Sequence, residues 1–218
     1  MVELGVVVLP VVLVLLVVFA WRRVSGKSGV GLLLALAGWL LVTALAARSG
    51  VLANFDARPP PFIGLLLSVV AVTVVFVRSR VGVRLGAELP LVALVAFQSF
   101  RLPLELLMHE AAVQGVTPPQ MTFTGWNFDI VTGVTAILVA ALGAPKKLVL
   151  AWNILGSALV VVIVTIAVAS SPIFKAFGDG PAVNTFVAHF PYVWLPSAMV
   201  MFAFVGHVLI FRRLRMPT

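Results

Sequence analysis

Phe97–Ala112 reads FQSFRLPLELLMHEAA. Apolar residues flank it, so Leu89–Ala112 is read as one membrane-crossing helix. That helix nevertheless contains Arg101, Glu105 and His109. An ionisable side chain at the bilayer centre is expensive and is found where it pairs or functions. The stretch therefore decides both the fold and where a site is sought.

The rest of the chain supports the membrane reading. Of 218 residues, 62% are hydrophobic and 10% charged, and the mean hydropathy is +1.18. Soluble domains carry about 25% charged residues. A span needs about 20 apolar residues to cross a hydrocarbon core of about 30 Å. On that measure seven segments are expected: Gly5–Trp21, Val30–Ala47, Phe62–Val77, Leu89–Ala112, Asp129–Gly143, Leu148–Ser170 and Tyr192–Phe211. The fold class is thus an all-α polytopic membrane bundle, one integral domain over residues 1–218. The N-terminal run has no basic residue before it, contains Glu3, and is followed by Arg22 and Arg23. It reads as a retained signal-anchor helix rather than a cleaved leader.

Charge gives the expected orientation. Alternate loops hold Arg22, Arg23, Lys27, Arg78, Arg80, Arg84, Lys146, Lys147, Arg212, Arg213 and Arg215, eleven in all. The other loops hold three: Arg48, Arg58 and Lys175. Loops rich in Lys and Arg stay on the cytoplasmic side, so the N-terminus is expected outside and the C-terminus inside. The net charge of +8 is then a topology signal with attraction to anionic headgroups, and no nucleic-acid partner is expected. The expected location is a bacterial cytoplasmic membrane, with the lipid bilayer as the principal partner; a homo-oligomer is compatible with the sequence.

Several chemistries are disfavoured. Without cysteine there is no thiolate ligand or Cys nucleophile. All four lysines (Lys27, Lys146, Lys147, Lys175) fall in loops, which disfavours a retinal-type Schiff base. No HxxxH or HExxH spacing occurs, and His109 and His207 lie towards opposite faces, a poor pair for haem. No metal or other cofactor is expected.

The positive signal is a polar stripe. At about 100° per residue, Gln98, Arg101, Glu105 and His109 fall within a sector of about 80°. Arg101–Glu105 and Glu105–His109 are both i,i+4 steps, so neighbours can touch. Glu105 is the expected partner of Arg101. Pro103 removes a helix bond to the Ser99 carbonyl and is expected to kink the helix there. The second wall is expected from the return Met121–Asp129, MTFTGWNFD, where Asn127 and Asp129 open the next helix. These two also suit capping and the helix dipole. Asn153 and Ser157, an i,i+4 pair, suit interhelical hydrogen bonding.

FRLPLE (Phe100–Glu105) and MTFTGWNFDI (Met121–Ile130) together resemble a pattern in an uncharacterised family of small bacterial polytopic integral membrane proteins. In that pattern F-R-x-x-x-E precedes M-T-F-x-G-x-N-F-D. The resemblance is confined to these stretches and implies only that Arg101, Glu105, Asn127 and Asp129 belong to one site. Thr124 and Trp126 stand where relatives carry charged residues, so no role is carried over to them.

Three functions follow as expectations. The first is a site open to the outer face, lined by Gln98, Arg101, Glu105, His109, Asn127 and Asp129, that binds a small polar or anionic ligand, as in a proton-coupled transporter. Arg101 would hold the anion, and His109 would take or give the proton. The second is an intramembrane enzyme acting on a lipid or lipid-linked substrate. There His109 would be the base, Arg101 the anion stabiliser and Asp129 an acid or metal ligand. The third is a structural or accessory subunit in which the charges only specify packing.

Overall fold

The computed structural model describes residues 1–216. Within them the chain forms nine α-helices, several single 3-10 turns, and no strand. The α-helices are α1 (Val2–Ser25), α2 (Val30–Arg48), α3 (Pro61–Arg78), α4 (Arg80–Glu88), α5 (Leu91–Phe97), α6 (Arg101–Val113), α7 (Ile130–Ala141), α8 (Lys146–Ala169) and α9 (Met201–Leu214).

Six stretches are long and apolar enough to cross a membrane: α1, α2, α3, Leu91–Val113, α8 and Leu195–Leu214. They bear Leu, Val, Ile and Phe side chains on their outer surfaces, as helices facing lipid do. The chain is a helical, multi-pass type of membrane protein.

The expected fifth span differs. Asp129–Gly143 yields only the 12-residue α7, about 18 Å of helix at 1.5 Å per residue. Upstream of it Pro118 and Pro119 lead into a single 3-10 turn, Pro119–Met121, and Gly125 lies against the Pro119 carbonyl and Gln120 backbone, where no Cβ would fit. The segment from Thr117 to Asp129 therefore enters the protein as irregular chain, with Thr117, Gln120, Met121, Thr122, Asn127 and Asp129 buried. Several of its polar side chains find partners inside the protein, while the Thr117 hydroxyl has none. Gln120 donates to Ser170 Oγ (2.9 Å) and the Ala182 carbonyl (2.6 Å), and Asn127 Nδ2 donates to the Met121 carbonyl (3.1 Å). Irregular backbone at membrane depth is tolerated only when it is enclosed this way.

The fourth span breaks where Pro103 predicts. Gln98–Phe100 is a 3-10 turn joining α5 to α6, and it contains Ser99, the residue whose carbonyl Pro103 cannot bond.

The seventh span begins with a π-helical turn, Leu195–Val200. The Trp39 indole donates to the Ser197 carbonyl (2.7 Å), and Trp194 donates to the Leu40 carbonyl (3.0 Å), which ties α2 to this turn. The span is also the most buried of the six. Its helix α9 packs on α3, α4, α5 and α8, so it is the central post of the bundle.

Arg80–Glu88, read from sequence as part of a loop, is the helix α4. Ser79 Oγ caps it by accepting from Gly82 N (3.2 Å). Its apolar face, with Leu85 and Gly86 buried, packs on α9 and α1. Arg212 donates to the Val77 and Gly82 carbonyls (3.1 and 2.9 Å), and Arg213 to the Leu89 carbonyl (3.1 Å). This end of the bundle is its basic end.

Candidate functional site

Among the described residues, Arg101 is the only buried Lys or Arg, and Glu105 and Asp129 are the only buried carboxylates. All three belong to one hydrogen-bonded chain that ties four helices together.

The centre of this chain is Arg101, on the first turn of α6 and fully buried. Its Nε donates to Asp129 Oδ2 at 2.7 Å. Its Nη2 lies 2.5 Å from Asp129 Oδ1, a charge contact outside hydrogen-bond alignment. Its Nη1 lies 2.8 Å from His207 Nε2 on α9. The partner expected from sequence, Glu105, is not the one Arg101 takes. Asp129 stands at the N-cap position of α7 but makes no side-chain cap, so its carboxylate is free to face the guanidinium. Glu105 instead accepts from Asn127 Nδ2 at 2.7 Å. Asn127 Oδ1 in turn accepts from the Asp129 backbone N–H at 3.0 Å, which fixes which way its amide faces.

The hydrogen bonds also fix the state of His207. A guanidinium has no acceptor, so Nε2 must accept from Arg101. The other nitrogen, Nδ1, then carries the hydrogen and donates to Asn153 Oδ1 on α8 at 2.7 Å. The imidazole is the neutral Nδ1–H tautomer. Asn153 Nδ2 closes the link by donating to the His207 carbonyl at 3.1 Å. The whole chain runs Glu105, Asn127, Asp129, Arg101, His207, Asn153.

Three glycines make room for it. A Cβ on Gly133 of α7 would collide with the Arg101–Leu102 backbone, one on Gly206 of α9 with the Gln98 amide, and one on Gly156 of α8 would sit 2.7 Å from His207 Cε1. Small residues let membrane helices approach closely; here they admit polar side chains between the helices.

Of the residues expected from sequence, Arg101, Glu105, Asn127 and Asp129 are joined directly. Gln98 is buried beside them and donates to the Ala203 carbonyl (3.1 Å). His109 is not brought to the network. Each i,i+4 step turns the row by about 40°, so His109 lies about 80° round the helix from Arg101. It is half-buried and its ring packs on Phe123, centroids 4.6 Å apart. The expected opening to the outer face is also absent from this conformation: Asn127 and Asp129, the residues nearest that end, are 2% and 4% exposed. The buried side chains close on one another.

His207 and Asn153 are the members that the sequence reading did not group with the stripe. The available signal was a polar side chain inside each of two otherwise apolar spans, without any spacing that links them. Among the described residues, no group of three or more His, Asp or Glu side chains is arranged to hold a metal.

The network also carries a charge imbalance. With a neutral imidazole and both carboxyl groups ionised, one guanidinium would leave one negative charge in excess. An uncompensated charge in a low-dielectric interior is strongly disfavoured, so the group is balanced by one proton shared among the two carboxyl groups.

No family model matches this chain, and no curated protein or solved structure is significantly similar to it. Its function is therefore argued from the site itself.

Proposed function

We propose that this chain is a proton-coupled carrier of a small polar or anionic solute, and that the Arg101 network is its substrate and proton centre in a closed state. The observation that supports this reading is that Arg101 pairs with Asp129 while a second carboxyl group, Glu105, lies buried in the same hydrogen-bonded chain without a cation of its own. Glu105 adds no direct contact to the Arg101–Asp129 pair, and a buried carboxyl group beside that pair can share with Asp129 the holding of a proton.

In this reading seven helices cross a bacterial cytoplasmic membrane, with the N-terminus outside. The eleven-to-three distribution of Lys and Arg supports the orientation. The short α7 counts as the seventh crossing together with the buried segment that precedes it. Opening towards the outside separates Asp129 from Arg101. Arg101 then meets the anionic group of the solute, and the displaced carboxylate takes up a proton. Proton and solute travel together because either alone leaves a buried charge.

A second reading has its own support. Every network residue is buried and hydrogen-bonded, as expected if the network only locks the bundle. Ligand-dependent thermal stability separates the two. Panels of small carboxylates, phosphates and sulfonates are added to detergent-purified wild type and Arg101→Gln at acidic and at neutral pH. The carrier reading expects one anion class to stabilise the wild type, more at acidic pH, and not the variant. If Arg101→Gln folds and the wild type responds to no class at either pH, the solute site is refuted and the lock remains.

A further inference from the structure

At the basic end of the bundle, α1 ends in a concave site of ≈ 400 Å³ lined by Phe19, Arg22, Arg23, Gly26, Lys27 and Ser28. We propose that this cup binds the phosphate of an anionic glycerophospholipid headgroup. The site is separate from the Arg101 network and does not depend on it.

Its shape follows from the sequence GKSG at Gly26–Gly29. Gly26 and Gly29 have φ of +67° and +74°, the left-handed region that glycine enters without strain. These two bends fold the link between α1 and α2 tightly back. A Cβ on Gly29 would crowd the Val18 side chain and the Arg22 stem, and Lys27 lines the cup together with Arg22 and Arg23. The helix end itself would repel an anion, but two of its carbonyls are already engaged. Ser25 Oγ donates to the Trp21 carbonyl (2.6 Å) and Gly26 N to the Arg22 carbonyl (3.0 Å). What the cup presents is three cations and no carboxylate.

The neighbouring Phe19 points to a lipid rather than a free anion. Its ring is 56% exposed, and the Arg23 guanidinium lies 5.1 Å from its centroid. An apolar ring one turn below a cationic cup matches an amphiphile with its phosphate above and its acyl chains alongside. Elsewhere on this end, Arg84 already has a carboxylate neighbour in Glu88 at 3.9 Å, and the Arg212 and Arg213 side chains donate to backbone carbonyls. Among the described residues, Arg22, Arg23 and Lys27 form no ion pair with a carboxylate.

The test is lipid binding to the purified full chain in uncharged detergent, read by native mass spectrometry. The probes are phosphatidylglycerol, phosphatidylcholine and inorganic phosphate. At about fivefold per basic residue near a membrane surface, three cations predict a preference for phosphatidylglycerol over phosphatidylcholine on the order of a hundredfold. Arg22→Gln/Arg23→Gln/Lys27→Gln is expected to abolish that preference. Arg22→Lys/Arg23→Lys preserves charge and orientation and is expected to weaken binding several-fold, because paired guanidinium donors are lost. Arg78→Gln/Arg80→Gln/Lys147→Gln removes equal charge elsewhere on the same end and is expected to leave the preference intact. Equal loss in that control would make the effect a diffuse surface charge and overturn the site. Competition by inorganic phosphate at matched concentration would make it a free-anion site and overturn the lipid assignment.

Discussion

Asp129→Ala is the sharpest perturbation of the network. It strips Arg101 of the 2.7 Å hydrogen bond and the 2.5 Å charge contact, and Arg101 has no exposed surface through which water could replace them. Removing one partner of a buried pair costs about 3–5 kcal/mol, because the other charge is left uncompensated. The competing account of Asp129 is that it only complements the α7 dipole, which is worth about 0.3–1 kcal/mol. Since Asp129 makes no side-chain cap, no capping bond enlarges that figure. The two accounts are separated by at least 2 kcal/mol, well outside the error of reversible unfolding in mixed micelles of rising sodium dodecyl sulfate content, followed by tryptophan fluorescence. Combining Asp129→Ala with Arg101→Met sharpens the result. The double variant no longer carries the stranded guanidinium, so its loss should fall below the sum of the single losses by about 2 kcal/mol or more, the range seen for directly coupled residues. A loss of 1 kcal/mol or less for Asp129→Ala, or strict additivity in the cycle, would refute the pairing.

Other residues give narrower tests in the same unfolding assay. Gly156→Ala places a methyl against the His207 ring and Thr132; overpacking predicts a loss of about 1–3 kcal/mol together with altered His207 ring resonances in NMR. His109→Ala, which removes only a packing contact with Phe123, should stay within about 1 kcal/mol of wild type; a larger loss would return His109 to the site. Trp39→Phe deletes the indole bond to the Ser197 carbonyl and should cost about 1 kcal/mol, with faster amide exchange confined to the π-helical turn.

Much of this was legible in the residues themselves. Apolar run length reveals helices such as α1, α2, α3 and α8 because lipid demands it. The residue type of Pro103 locates the break in the fourth span, since a missing N–H acts at one fixed carbonyl. The meeting of Arg101 with the Asn127–Asp129 return was readable as two polar walls with no other buried charges to oppose them. Which carboxylate Arg101 takes was not readable. An i,i+4 step allows contact with Glu105 but does not require it, and the choice of Asp129 depends on how deep irregular chain carries the start of α7. The contribution of His207 was hidden for a related reason: α9 is about a hundred residues away from Arg101, and only the bundle's packing brings the imidazole to the guanidinium. The helix α4 was concealed by its own charges, which read as a loop when run length alone is counted.

The central claim is that the buried network holds a titrating proton on a carboxyl group. Infrared difference spectroscopy of the reconstituted protein across a pH step tests it most directly, because a protonated carboxyl has its own C=O stretch. The wild type should show such a band gained on acidification and shifted to lower frequency when the pH step is made in heavy water, and it should vanish in Glu105→Gln or Asp129→Asn. If the wild type shows no carboxyl band beyond those retained in both variants, the network is a fixed ion pair and the carrier account is wrong.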